Sequence, residues 1–101
     1  MKKIKILVVE PNKLVYEKII NNGVSDIYEL VYYPYEKIRM LKNVFLIYSK
    51  EATETKNKIF KPNIKVNDIY IYGTLVIVGK KRNSLISLTE KQIEKIKNMI
   101  N

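Results

Sequence analysis

The sequence predicts an α+β fold: a mostly antiparallel sheet of about five strands with two short helices, assembled as a homo-oligomer. Three observations carry this reading. Short runs rich in β-branched residues recur along the chain, separated by Pro and Asn-Gly breaks. "VSDIYELV" (24–31) repeats apolar residues at helical spacing. "SLTEKQIEKIKNMI" (87–100) opens with a capping signal and continues with isoleucines on one face. The 101 residues form one expected domain, 1–101.

The elements follow in order. "KIKILVVE" (3–10) ends at Pro11 and reads as a strand, apolar on both faces toward its end. "LVYEKII" (14–20) is too short for its period to decide, and is expected to pair back as a second strand. After Asn22-Gly23, Val24, Ile27, Tyr28 and Val31 define one helical face that Pro34 brings to an end. "YEKIRML" (35–41) and "NVFLIYS" (43–49) are two further strands. Residues 50–68 are polar, contain Pro62, and read as one long loop. Ile69–Val78 is expected to be a single central strand left by a turn at Gly79–Asn83. In the last helix Thr89 and Gln92 form a capping box, with Leu88 and Ile93 as its hydrophobic staple and Ile93, Ile96 and Ile100 along one face.

"YGTLVIVGKK" invites comparison with a phosphate-binding loop, G-x-x-x-x-G-K-[ST]. Gly73 and Gly79 enclose residues 74–78, one too many, and Lys81 stands where a hydroxyl must reach the metal. The enclosed "TLVIV" prefers the extended state, whereas a phosphate loop must bend its amides inward. The same run is apolar on both faces, with Ile69, Ile71, Leu75 and Ile77 on one and Tyr70, Tyr72, Thr74, Val76 and Val78 on the other. Two helices cover one sheet face only, so the other calls for a sheet curled on itself or a second copy of the chain, and a homo-oligomer is expected. On the second face, packing beside Val76 is the better account of Tyr70 and Tyr72 than base stacking.

Composition narrows the chemistry. There is no histidine and no cysteine, which removes the usual general base, disulfides and the usual zinc ligands. Asp26 and Asp68 stand too far from other acids to argue for a metal. Glu51 and Glu54 resemble an acid–base pair in spacing, but in a polar stretch they read as solvated charges. No catalytic residue, cofactor or metal is expected. The apolar part of "MKKIKILVVEP" is too short for a signal peptide and no stretch reaches membrane-span length, so a cytoplasmic protein without a membrane partner is expected. The 19 Lys and Arg against 10 Asp and Glu give a net charge of +9, which attracts anions and excludes an acidic DNA mimic. The RNA-recognition motif pattern is missing, and two helices leave no room for a homeodomain-like reader.

"KILVVEPNK", "YGTLVIVG" and "SLTEKQIEKI" together resemble a domain-of-unknown-function family of small phage and plasmid proteins, whose members read like VLVVEPGK, CGTFLIVG and SLTDEQIEKY. The likeness covers nearly the whole chain in the same order and implies no activity. The family's NEEG turn and LPLNR segment correspond to "SKEA" (49–52) and "FKPNI" (60–64), which keep Glu51, Pro62 and Asn63 and lose the glycine and arginine. The resemblance and the charge together imply a non-enzymatic accessory binding protein that sequesters a small anionic ligand, a nucleotide signal of host defence. The alternative is a nonspecific nucleic-acid-binding protein. The expected site lies on Lys50–Lys65: Lys58 and Lys61 as point charges for the anion, Asn63 and Thr74 as directional partners, Tyr72 nearby, and Glu51 kept from the family pattern.

Overall fold

The computed structural model describes residues 3–21, 24–55 and 60–100. Strand β1 (Lys3–Val9) pairs with β2 (Tyr16–Asn21) as an antiparallel hairpin, Ile4 opposite Ile20 and Val8 opposite Tyr16. The chain then leaves this edge of the sheet through helix α1 (Val24–Tyr28), crosses one face, and enters at the opposite edge as β3 (Tyr35–Leu41). Strand β4 (Val44–Ser49) returns beside β3 through a turn in which Asn43 takes a φ of 63°. Helix α2 (Lys50–Thr55) follows directly, and strands β5 (Pro62–Val66) and β6 (Ile69–Tyr72) form a separate hairpin. Strand β7 (Leu75–Lys81) slots between β1 and β4, β8 (Ser84–Ile86) pairs with its end, and helix α3 (Glu90–Ile100) closes the chain. Every registered pair is antiparallel.

The protein is thus α+β, with a main sheet ordered β2-β1-β7-β4-β3 and β8 alongside β7. The expected mostly antiparallel sheet of about five strands is present, with β8 beside it and the β5–β6 hairpin apart, and the helices number three among the described residues rather than two. No helix among the described residues is long and apolar enough to cross a membrane.

The period of two along each strand sorts the interior into two layers. Leu7, Val9, Val44, Leu46, Leu75 and Ile77 face one side, where Leu88, Ile93 and Ile96 of the α3 region and Ile71 of the hairpin cover them. Ile4, Ile6, Val8, Val76 and Val78 face the other, covered by Ile27 and Val31. Both faces of β7 are therefore covered within one chain. The argument that an apolar face must be closed by a second copy loses its premise, because the crossover from β2 to β3 supplies that cover.

The expected turn at Gly79–Asn83 is shorter, because β7 runs on through Gly79 to Lys81 in pairing with β8, and two further boundaries differ for identifiable reasons. Ile69–Val78 is not one strand: Gly73 adopts a φ of 81°, open to glycine at little cost, and the chain bends there from the hairpin into the main sheet. Tyr70 consequently never reaches Val76 and is half exposed, against the expectation of core packing. Residues 50–68 are not one long loop. Ser49 Oγ accepts a hydrogen bond from the Ala52 amide at 3.1 Å and caps α2, while Asn67 and Asp68, both at positive φ, turn β5 into β6. The final helix follows its sequence closely. The Gln92 amide donates to Thr89 Oγ1 at 3.1 Å, and the Thr89 amide donates to Gln92 Oε1 at 2.9 Å.

Candidate functional site

One end of the sheet gathers the last residues of β1 and β4 and the first of β3 and β7. Register places them together: Val9 lies opposite Leu75, and Ser49 opposite Tyr35. The crossover from α1 to β3 and residues 60–61 close over this end. Between them lies a cleft of about 560 Å³, within the usual range for small-molecule sites. Its walls carry Tyr28, Tyr32, Tyr33, Tyr35 and Phe60 as rings, and Ser49, Lys61, Thr74 and Glu29 as polar groups.

The rings are organised by contact with one another. Tyr28 and Tyr35 stack with centroids 4.3 Å apart and planes 6° from parallel. Tyr33 meets Tyr35 edge-on at 5.4 Å, and Tyr32 meets Phe60 edge-on at 5.1 Å. Tyr32 and Tyr33 are nonetheless 56% and 71% exposed, so much of their ring surface remains open for a ligand. The Tyr35 hydroxyl is held above the ordinary tyrosine range, first by burial and then by Tyr28 and Tyr33. That direction keeps it a neutral hydrogen-bonding group through the physiological range rather than a base.

Of the residues expected to form the site, Lys61 and Thr74 line this cleft. Asn63 does not offer itself to a ligand. Its side-chain amide donates to the carbonyls of Val9 and Gly73, each at 2.9 Å, and so clamps β5 to the junction of β1 and β7. Tyr72 sits in the β5–β6 hairpin next to Tyr70, its amide donating to Thr53 Oγ1 at 3.2 Å, and it is not among the cleft's lining residues. Glu51 lies exposed on α2, also outside the lining. Lys58 lies outside the described residues. Of the expected site residues, Lys61 and Thr74 come together on the cleft, while the Asn63 side chain is engaged in the clamp.

Sequence reasoning missed the tyrosine cluster. Its signal was present in "YELVYYPY" (28–35), four tyrosines around one proline. The helical pattern accounts for Tyr28 alone and leaves the other three rings without a place on that face. Among the described residues, no group of three or more acidic, histidine or cysteine side chains is placed to hold a metal ion.

The fold and site define a small α+β protein with a ring-lined cleft at one end of an antiparallel sheet. The chain belongs to the DUF3846 family, a domain of unknown function, whose profile matches residues 4–101. Neither the curated proteins nor the solved structures compared with it include a match.

Proposed function

We propose that this chain is a non-enzymatic binding protein that holds a small anionic ligand of the nucleotide class in the cleft at the sheet end. One observation carries the reading: five aromatic rings converge on a single cleft whose polar groups are Lys61, Thr74, Ser49 and Glu29. Rings supply flat apolar surface for a base. Lys61 supplies a positive charge for phosphate, Thr74 a directional hydroxyl, and Glu29 an acceptor for sugar hydroxyls or exocyclic amines. The overall charge of +9 draws anions toward the surface. The likeness of its three motifs to phage and plasmid proteins supports the finer proposal that the ligand is a defence signal, withdrawn by sequestration. A homo-oligomer belongs to the same proposal on narrower ground: Leu14 and Ile19, 85% and 54% exposed, leave apolar surface along the β2 edge.

A second reading, nonspecific nucleic-acid binding, is favoured by the exposed ring of Tyr70 on a basic protein, since successive bases stack on such rings. Calorimetric titration with AMP separates the two. Pocket binding saturates at one ligand per cleft, and Lys61→Glu or Tyr32→Ala weakens it by roughly tenfold or more. Equal affinity of both variants for AMP would reject the cleft as the site.

A further inference from the structure

The second face of the sheet carries a cleft of its own, about 360 Å³ in volume, on the other side of the Tyr28–Tyr35 stack. Ile27, Ile47, Val78 and Leu85 give it an apolar lining, and Phe45 adds a ring. Two lysines lie on this lining from different strands: Lys37 on β3 and Lys80 on β7. The strand register explains the meeting. Phe45 on β4 pairs with Val78 on β7, and Lys37 on β3 pairs with Ile47 on β4, so the two lysines enter the cleft from the strands on either side of β4. The Lys37 ammonium lies 5.6 Å from the centre of that ring.

The arrangement is unbalanced. Among the described residues neither lysine has a carboxylate within ion-pair distance, and the one acid in the lining, Glu36, is 3.7 Å from Lys50. Lys80 is pushed below the ordinary lysine range. The first cause is the Lys37 side chain beside it, through hydrogen bonding and then like-charge repulsion, and burial follows. Two like charges brought together over an apolar lining cost free energy that an anion between them offsets. Lys5 and Lys97, by contrast, are balanced by acids: Lys5 by Glu17 and Glu90, Lys97 by Glu17.

We propose that this cleft is a second binding site, in which Lys37 and Lys80 together hold the anionic head of a small aryl phosphate while its ring lies against Phe45, Leu85 and the Tyr28–Tyr35 stack. A phosphate dianion matches the two ammonium charges, and an aromatic body matches the lining. Inorganic phosphate alone gains the charges without the apolar contacts and binds more weakly.

The test is a ¹H–¹⁵N NMR titration of the whole chain with phenyl phosphate, with inorganic phosphate as the comparison. Saturable shifts are expected at Lys37, Phe45, Lys80 and Leu85, with phenyl phosphate the tighter ligand by roughly tenfold. Lys37→Met and Lys80→Met should each remove the shifts at these positions, while Lys61→Glu leaves them intact. The wild-type chain alone can overturn the proposal: no saturable shift at these four residues up to ~10 mM phenyl phosphate, beyond any useful affinity, rejects the site. Shifts that survive both methionine variants reject the role of the lysine pair. Because AMP binding at Lys61 is read at other residues, failure of one site leaves the other separately measurable.

Discussion

Tyr28 and Tyr35 stack face to face, 4.3 Å between centroids, and the pair forms a shared wall of two clefts. One ring comes from the end of α1 and the other from the start of β3, so the stack fixes where the crossover meets the sheet edge. Replacing Tyr28 by Ala should therefore loosen both clefts at once. Binding of AMP and of phenyl phosphate should weaken together, and the melting temperature should fall. The same change should lower the Tyr35 titration midpoint, because Tyr28 is one of the groups holding it up. Alkaline ultraviolet titration of wild type and variant checks the last point; an unmoved midpoint would contradict it.

Asn63 separates structure from binding. Its amide satisfies the Val9 and Gly73 carbonyls together. Asn63→Ala leaves both without that donor and should cost about 1–3 kcal/mol in urea unfolding. Lys61→Glu, on an exposed side chain, should shift stability by less than ~0.5 kcal/mol while weakening AMP binding.

Gly79 has a strict steric role. A Cβ there would stand 2.7 Å from the Ile86 carbonyl oxygen, a backbone atom of the paired strand β8. Gly79→Ala should push β8 away from β7 and destabilise by about 1–3 kcal/mol, the usual cost of overpacking. Faster amide exchange in 84–86 should accompany the loss.

The pH dependence lies on the alkaline side. Tyr48, nearly buried, is raised first by burial and then by Glu36 and Glu54. Lys5 is raised by hydrogen bonds to Glu90 and Glu17, then by their charges. A group whose folded pKa is raised contributes stability that is complete below its unfolded value and disappears as pH climbs through the folded one. Both groups have unfolded values near 10, so stability should decline from about pH 10 upward. Lys80, lowered in the fold, acts with the opposite sign in a lower window: its penalty is relieved as pH rises toward its unfolded value, ahead of that decline. Tyr48→Phe should flatten the loss in urea unfolding measured across this range.

The legible parts of the sequence were those whose local signal and tertiary role agree. The Thr89–Gln92 box specifies the start of α3 without help from the rest of the chain. The alternation in β1 and β4 survives because both faces of these strands meet a packed layer. Gly73 was misread because apolar residues continue on both sides of it, and periodicity cannot report a positive φ. Helix α2 was missed because "KEATET" is nearly all polar or small; its buried side rests on Ala52 and Thr53 alone. The hairpin turn Asn67-Asp68 was a readable signal, hidden by the polar residues around it. For the candidate cleft, Lys61 and Thr74 were singled out from charge and hydrogen-bonding capacity and both fall on its lining, while the convergence of the tyrosines depends on a crossover that spans the sheet.

The central claim is that the ring-lined cleft holds one nucleotide-class anion. The most direct measurement is a ¹H–¹⁵N NMR titration with AMP, repeated at low and high salt. The account predicts saturable shifts at Tyr32, Tyr33, Lys61 and Thr74, one AMP per cleft, and a shallow salt dependence. A strand held along its backbone would instead weaken with a log–log slope of about −0.7 per phosphate contacted. Absence of saturable shifts at those four residues up to ~10 mM AMP, or shifts elicited only by single-stranded oligonucleotide and lost steeply with salt, would contradict it.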